Sequence, residues 1–144
     1  MTSGADGTEG GITDPTIDAP VGATAEAVAR ALADDLTIDI TTTGRRSGQP
    51  QRIEIWFLNI DGRIFITGTP GPRDWLANLA ADNRLIFHLK ESTEADLDAT
   101  AELVTDETSR RRIFEHHKAH WYRTQTSLDD LVKNAPMVEI FFDG

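Results

Sequence analysis

Leu36-Thr37-Ile38-Asp39-Ile40-Thr41-Thr42-Thr43-Gly44-Arg45-Arg46-Ser47-Gly48-Gln49-Pro50 reads as a strand that runs into a basic turn. Leu36, Ile38 and Ile40 alternate with Thr37, Asp39 and Thr41, the two-residue period of a half-buried strand. Gly44 and Gly48 bracket the turn and allow positive φ angles, at which successive backbone N–H groups converge on an anion. Arg45, Arg46 and the Ser47 hydroxyl add donors to the same concavity. No acidic residue falls between Thr41 and Ile53, and Arg52 adds a further cation, so the turn is an isolated positive site in a chain of formal charge −10. A plain hairpin turn with solvated arginines is the alternative.

Downstream, Arg52 to Ile60 is expected to return as one strand, with Ile53, Ile55 and Phe57 on one face and Glu54, Trp56 and Leu58 on the other. Asp61-Gly62 signals a type I′ hairpin into Arg63 to Thr69. After Thr69-Pro70-Gly71-Pro72, a short helix from about Arg73 to Ala81 brings Trp75, Asn78 and Leu79 to one face. Further strands are expected at Leu85 to Lys90, at Leu97 to Leu103 and at Met137 to Phe142. A helix capped by Thr105 is expected to run to about Tyr122, with a shorter one after Ser127. Upstream, Thr24 caps a helix whose Val28 and Leu32 face inward, and Met1 to about Pro20 reads as a mobile arm. The domain is thus expected over residues 21–144. Six strands joined largely by hairpins, with interspersed helices, imply a mainly β (α+β) fold, an antiparallel barrel with helices at its side.

Composition narrows the chemistry. At 144 residues and 39% hydrophobic, the chain suits one domain with a real core. It has no apolar run of membrane-spanning length and no charged leader with an apolar stretch, so a cytoplasmic protein is expected. The lack of cysteine excludes disulfides, thiolate metal sites and cysteine nucleophiles, so redox chemistry would need a cofactor. The acidity disfavours nucleic acid, which calls for a broad basic face. Arg110-Arg111-Arg112 reads as the wet face of a helix. His116 and His120 are spaced to share a helix face, but no third ligand is recognisable and no metal site is expected.

The order Thr-Thr-Thr-Gly-Arg-Arg-Ser-Gly-Gln-Pro from Thr41, then the Asp61-Gly62 hairpin, then Trp75-Leu76-Ala77-Asn78-Leu79, resembles the deazaflavin (F420)-dependent nitroreductase family. That family lies within the FMN-binding, pyridoxamine-phosphate-oxidase-like split barrels. The resemblance spans about Leu36 to Phe142 and implies a split barrel that transfers a hydride between F420 and a small quinone, enone or nitro acceptor. It implies a cofactor site at Thr43, Gly44, Arg45, Arg46, Ser47, Gly48, Gln49, Pro50 and Arg52, with Trp75 and Asn78 beside the ring. In the family, tyrosines of the C-terminal helical region line the acceptor pocket. Only Tyr122 is present here, so Tyr122 and its neighbour His120 are the expected proton donors. Gln51 stands where relatives often have arginine. FMN is the alternative cofactor, a non-catalytic flavin- or haem-binding barrel the alternative function, and a homodimer is possible.

Overall fold

In α1 (Ala25–Asp34) the Thr24 hydroxyl accepts from the Ala27 N–H at 2.9 Å, the expected N-cap, and Ala31 is fully buried. The structure, a computed structural model, describes residues 23–143, and the expected mobile arm lies outside them. The chain continues as β1 (Thr37–Thr43), β2 (Pro50–Trp56), β3 (Leu58–Ile60), β4 (Arg63–Thr67), α2 (Asp74–Ala81), β5 (Arg84–Leu89) and β6 (Ala95–Leu103). Then come α3 (Glu107–Glu115), a 3₁₀ turn (His117–Ala119), α4 (His120–Gln125), α5 (Leu128–Asn134) and β7 (Met137–Phe142).

All strand pairs are antiparallel, in the order β2-β1-β5-β6-β7-β4-β3. The sheet therefore has seven strands and not six, because the expected return strand is broken at Phe57. The Phe57 N–H donates to the Leu36 carbonyl at 3.0 Å, and its ring packs edge-on against Phe87. That break carries one continuous segment from the first edge of the sheet to the last, which curls the sheet into a split barrel. Asp61 (φ 55°) and Gly62 (φ 87°) form the left-handed hairpin turn that the sequence foretells.

Two cores follow from strand alternation. Side chains of Ile38, Ile40, Ile64, Ile66, Phe87, Leu89, Val138 and Ile140 fill the barrel, and α2 adds Trp75 and Leu79 to this core. On the outer side of β3, β4 and β7, Leu58, Phe65 and Met137 meet Ile113, Phe114, Tyr122, Leu131 and Val132 of the helical layer. The rest of the outer sheet is polar: Lys90 bridges Asp39 and Glu54, and His88 sits between Thr41 and Asp96.

The helical layer departs from expectation in three places. Asp106, one residue after Thr105, is the N-cap and accepts from the Ser109 N–H at 2.8 Å. The long helix stops at Glu115 because His116 turns extended (φ −64°, ψ 145°), so His116 and His120 do not share a helix face. Arg123 fixes this break by donating to the Phe114 and His116 carbonyls. Arg110, expected in solvent, is only 8% exposed. Its guanidinium donates to the carbonyls of Val132 (2.6 Å), Val104 (2.8 Å), Leu131 (3.3 Å) and Ala135, and so caps the C-terminus of α5. Burial pushes its pKa down, and no carboxylate among the described residues offsets the charge.

Replacing Arg110 by Met keeps the volume and strands these carbonyls. A loss of about 3 kcal/mol in urea unfolding is expected, since each buried unsatisfied group costs about 1–3 kcal/mol. Arg110→Lys restores part of it, an ammonium being unable to span the carbonyls as a planar fork does. A loss below about 1 kcal/mol in Arg110→Met would refute the capping role.

Candidate functional site

The end of β1, the turn after it and the start of α2 converge on one recess of about 220 Å³, lined by Gly44, Arg45, Arg46, Ser47, Gln51, Asp74 and Asn78. The turn is closed by Gly44 N–H to the Gln49 carbonyl and Gly48 N–H to the Gly44 carbonyl, each 2.8 Å. Gly48 takes the expected left-handed conformation (φ 71°). Gly44 does not, and its reason to be glycine is space. A Cβ there would lie 2.6 Å from Ser47 Oγ and 3.2 Å from the Gln49 carbonyl, so the turn folds tightly over its own backbone.

Asn78 joins the parts. Its Oδ1 accepts from the Arg45 N–H (3.1 Å) and from Arg45 Nη1 (2.9 Å), while its Nδ2 donates to Thr42 Oγ1 (3.2 Å). Helix α2 presents Asn78 on the same buried face as Trp75 and Leu79, which sit in the barrel core. Arg45 also meets Asp74 through Nη2 at 3.3 Å. Arg46 is exposed, and neither its guanidinium nor the backbone N–H groups of Arg46 and Ser47 take a partner among the described residues. These donors are the ones available to an incoming anion. Ser47 Oγ accepts from the Gln49 N–H at 3.1 Å, and Thr43 pairs with Pro50 where the ladder ends.

Arg52 does not join the recess. Cross-strand partners point to the same face of a sheet, and Arg52 is paired with Thr41 on the outer one, where its Nε meets Asp39 at 3.0 Å. Hydrogen bonding from Lys90 first, then from Arg52, holds the Asp39 carboxyl below its usual range. Gln51, paired with buried Thr42, takes the inner place. The signal was in the strand's parity: if Ile53 faces inward, Gln51 does too and Arg52 does not.

The same parity reveals a surface that alternation alone would assign to the core. Ile55 and Ile53 pair with Ile38 and Ile40, which are fully buried, yet Ile55 is half-buried and Ile53 is 36% exposed. The inner face of β2 is thus an open apolar strip that starts at Gln51. Trp75, expected beside a ring, is instead buried in the barrel core.

The expected donor pair does not form a common site. The break at His116 leaves His120 exposed and turns Tyr122 into the second core, 4% exposed against Phe114 and Trp121. Neither residue lines the arginine recess. Burial pushes the Tyr122 phenol up to about 12. His88 has both ring nitrogens engaged, Nε2 with Thr41 and Nδ1 with Asp96, each at 2.7 Å, which leaves none for a metal or haem. No group of three or more potential ligand side chains is placed to hold a metal among the described residues.

A larger groove of about 410 Å³ runs between α3 and the β3–β4 hairpin. It brings Asp61, Glu102, Asp106 and Glu139 against Arg63 and Arg112, and Arg63 is already bidentate to Glu139 at 2.8 and 2.9 Å. Such a balance does not suit an anion, whereas the smaller recess does.

Comparison with known proteins agrees with the architecture. A conserved hypothetical protein from Mycobacterium tuberculosis superposes with a TM-score of 0.66 at 20% identity, covering 92% of this chain and 87% of that one. A pyridoxinephosphate oxidase family protein from Clostridium acetobutylicum, related to a general stress protein, gives 0.60 at 16% identity, covering 81% and 79%. A structure described as an F420 reductase gives 0.58 at 16% identity, covering 80% and 92%. At these identities the likeness concerns the fold, the split barrel. The family description that matches this sequence, over residues 18–131, is that of the F420H(2)-dependent quinone reductases. With most of its length inside that match, the chain belongs to the F420H(2)-dependent quinone reductase family and is an oxidoreductase that uses F420.

Proposed function

We propose that the protein passes a hydride from reduced F420 to a small quinone-like acceptor, with the cofactor phosphate in the Gly44–Gly48 recess and its ring along the open edge of β2. One observation carries this reading: a turn in which a Cβ at Gly44 would crowd Ser47 Oγ and the Gln49 carbonyl presents Arg46 and two backbone N–H groups, without partners among the described residues, at the start of an exposed apolar strip. The residues fit the group, because a phosphate needs convergent donors and a flat ring needs an apolar wall.

When bound, F420 supplies the hydride-carrying carbon, and the protein's part is to bind, orient and shield. Arg46 is free to meet a phosphate oxygen, with the N–H groups of Arg46 and Ser47 behind it. Arg45 has a second duty, because its guanidinium and backbone N–H also hold Asn78 and with it α2. Ile53 and Ile55 offer the wall, and Gln51 marks the step from the polar to the apolar half. An apolar acceptor suits the same open strip, in line with the quinone named by the family description. Tyr122, buried and with its phenol pushed up to about 12, keeps its proton inside the helical core.

Equilibrium fluorescence binding of F420 tests the placement. In Arg46→Ala, affinity falls by about 1.5–3 kcal/mol, the contribution of a hydrogen bond to a charged group, with thermal stability unchanged. Arg52→Ala, on the outer face, leaves affinity as it was. The reverse pattern would move the phosphate to the other side of β2.

Ile53→Ser probes the wall. A loss of about 1–2 kcal/mol in F420 affinity is expected from the apolar area it no longer covers. Unchanged binding would place the ring elsewhere, and failure of the wild-type protein to bind F420 or to reduce any of a panel of quinones would sink the proposed function.

A further inference from the structure

Asp74 is the one carboxylate among the described residues that line the arginine recess, and it is the first residue of α2, where the helix dipole favours a negative charge. Its side chain is 92% exposed, whereas that of Arg45, its partner at 3.3 Å, is 29% exposed. The contact is single and long, so it contributes little to the fold. Its effect on a ligand is another matter. Arg45 and Arg46 supply two positive charges and Asp74 removes one, which leaves the recess with a formal charge of +1.

Resting on the cofactor placement above, we infer that Asp74 sets the charge preference of the recess, favouring a singly charged phosphodiester such as that of F420 over a doubly charged phosphomonoester such as that of FMN. The repulsion that Asp74 exerts on the phosphate group in the recess is proportional to that group's charge, while the glutamate carboxylates of the F420 tail, set apart from the phosphorus by the lactyl unit, are screened by water and salt. A phosphodiester carries one negative charge near neutral pH, and a phosphomonoester carries about −1.5 to −2. Whatever factor Asp74 takes from the affinity of the first, it takes up to about the square of that factor from the second. Arg45 is meanwhile already divided between Asp74 and Asn78 Oδ1. It gives the first charge of a ligand a partial partner and has less to offer the next.

The asymmetry is local to this recess. Among the described residues Asp74 is its only carboxylate, while Asp39 pairs with Lys90 and Arg52, and Asp82 with Arg84. Asp74→Asn removes the charge and keeps the shape. At an exposed position the variant folds as the wild type does.

The test compares three ligands, each with itself, between wild type and Asp74→Asn, by equilibrium fluorescence binding at near-physiological salt. Riboflavin, which has no phosphate, is expected to bind both proteins equally. F420 is expected to gain about threefold and FMN about five- to ninefold, as an exposed ion-pair partner is worth up to about 1 kcal/mol per unit charge. Equal gains for F420 and FMN, or no gain for either, would overturn the role of Asp74 while leaving the cofactor placement standing. A gain for riboflavin of the same size would show that Asp74 acts on the ring and would equally overturn it. If wild type and Arg46→Ala bind F420 alike, the recess is not the phosphate site and both readings fall together.

Discussion

The side-chain amide of Asn78 holds the site together. It is buried, and all its contacts are to parts that would otherwise be independent: the end of β1 through Thr42, and the turn through the backbone and guanidinium of Arg45. A buried amide that lost these partners would carry a desolvation cost of about 1–3 kcal/mol, so the three elements are fixed together or not at all. The direction of α2, the reach of Arg45 and the curvature of the turn thus follow from one group. Because Trp75 and Leu79 share its helix face, the same rotation of α2 that seats Asn78 also fills the end of the barrel.

The second constraint is the break at Phe57. By leaving β1 there and pairing with β4, the chain puts both edges of the sheet on one continuous segment. A sheet closed this way cannot splay, but it cannot bury the inner face of β2 fully either. The exposed Ile53 is a consequence of that geometry. An apolar edge of this kind would be a liability in a protein with no use for it, and it lies directly beside the Gly44–Gly48 recess. Fold and site have a common origin in where the strand breaks.

The parts legible in the sequence are those settled within a few residues. Thr24 and Ser127 cap their helices through side chains that reach three residues ahead, and Asp61-Gly62 needs only its own backbone. The backbone of the Gly44–Gly48 turn was legible for the same reason, whereas the reach of Arg45 depends on Asn78, 33 residues on. The parts that were not legible depend on distant partners. Phe57 breaks the strand because of the Leu36 carbonyl, Arg110 is drawn inward by carbonyls more than twenty residues away, and the stop at His116 is held by Arg123. Arg52 is a different case: its side of the strand followed from alternation, but its charge made it look like part of the basic turn.

The two layers of the molecule are joined by unlike chemistry. On the outer sheet, cohesion between side chains comes from ion pairs such as Asp39 with Arg52 and Lys90, which dissolved salt screens. In the helical layer, Arg110 and Arg123 bind neutral carbonyls, Arg110 out of reach of water. Ionic strength therefore acts on the pairs of the outer sheet and on the Arg111 pairs with Glu107 and Asp129, and largely passes over buried Arg110. A rise in salt loosens the pairs on the sheet but relieves the mutual repulsion of a chain of charge −10. The joint between α3 and α5 that buried Arg110 makes with backbone carbonyls serves as the salt-indifferent backing against which that exchange takes place.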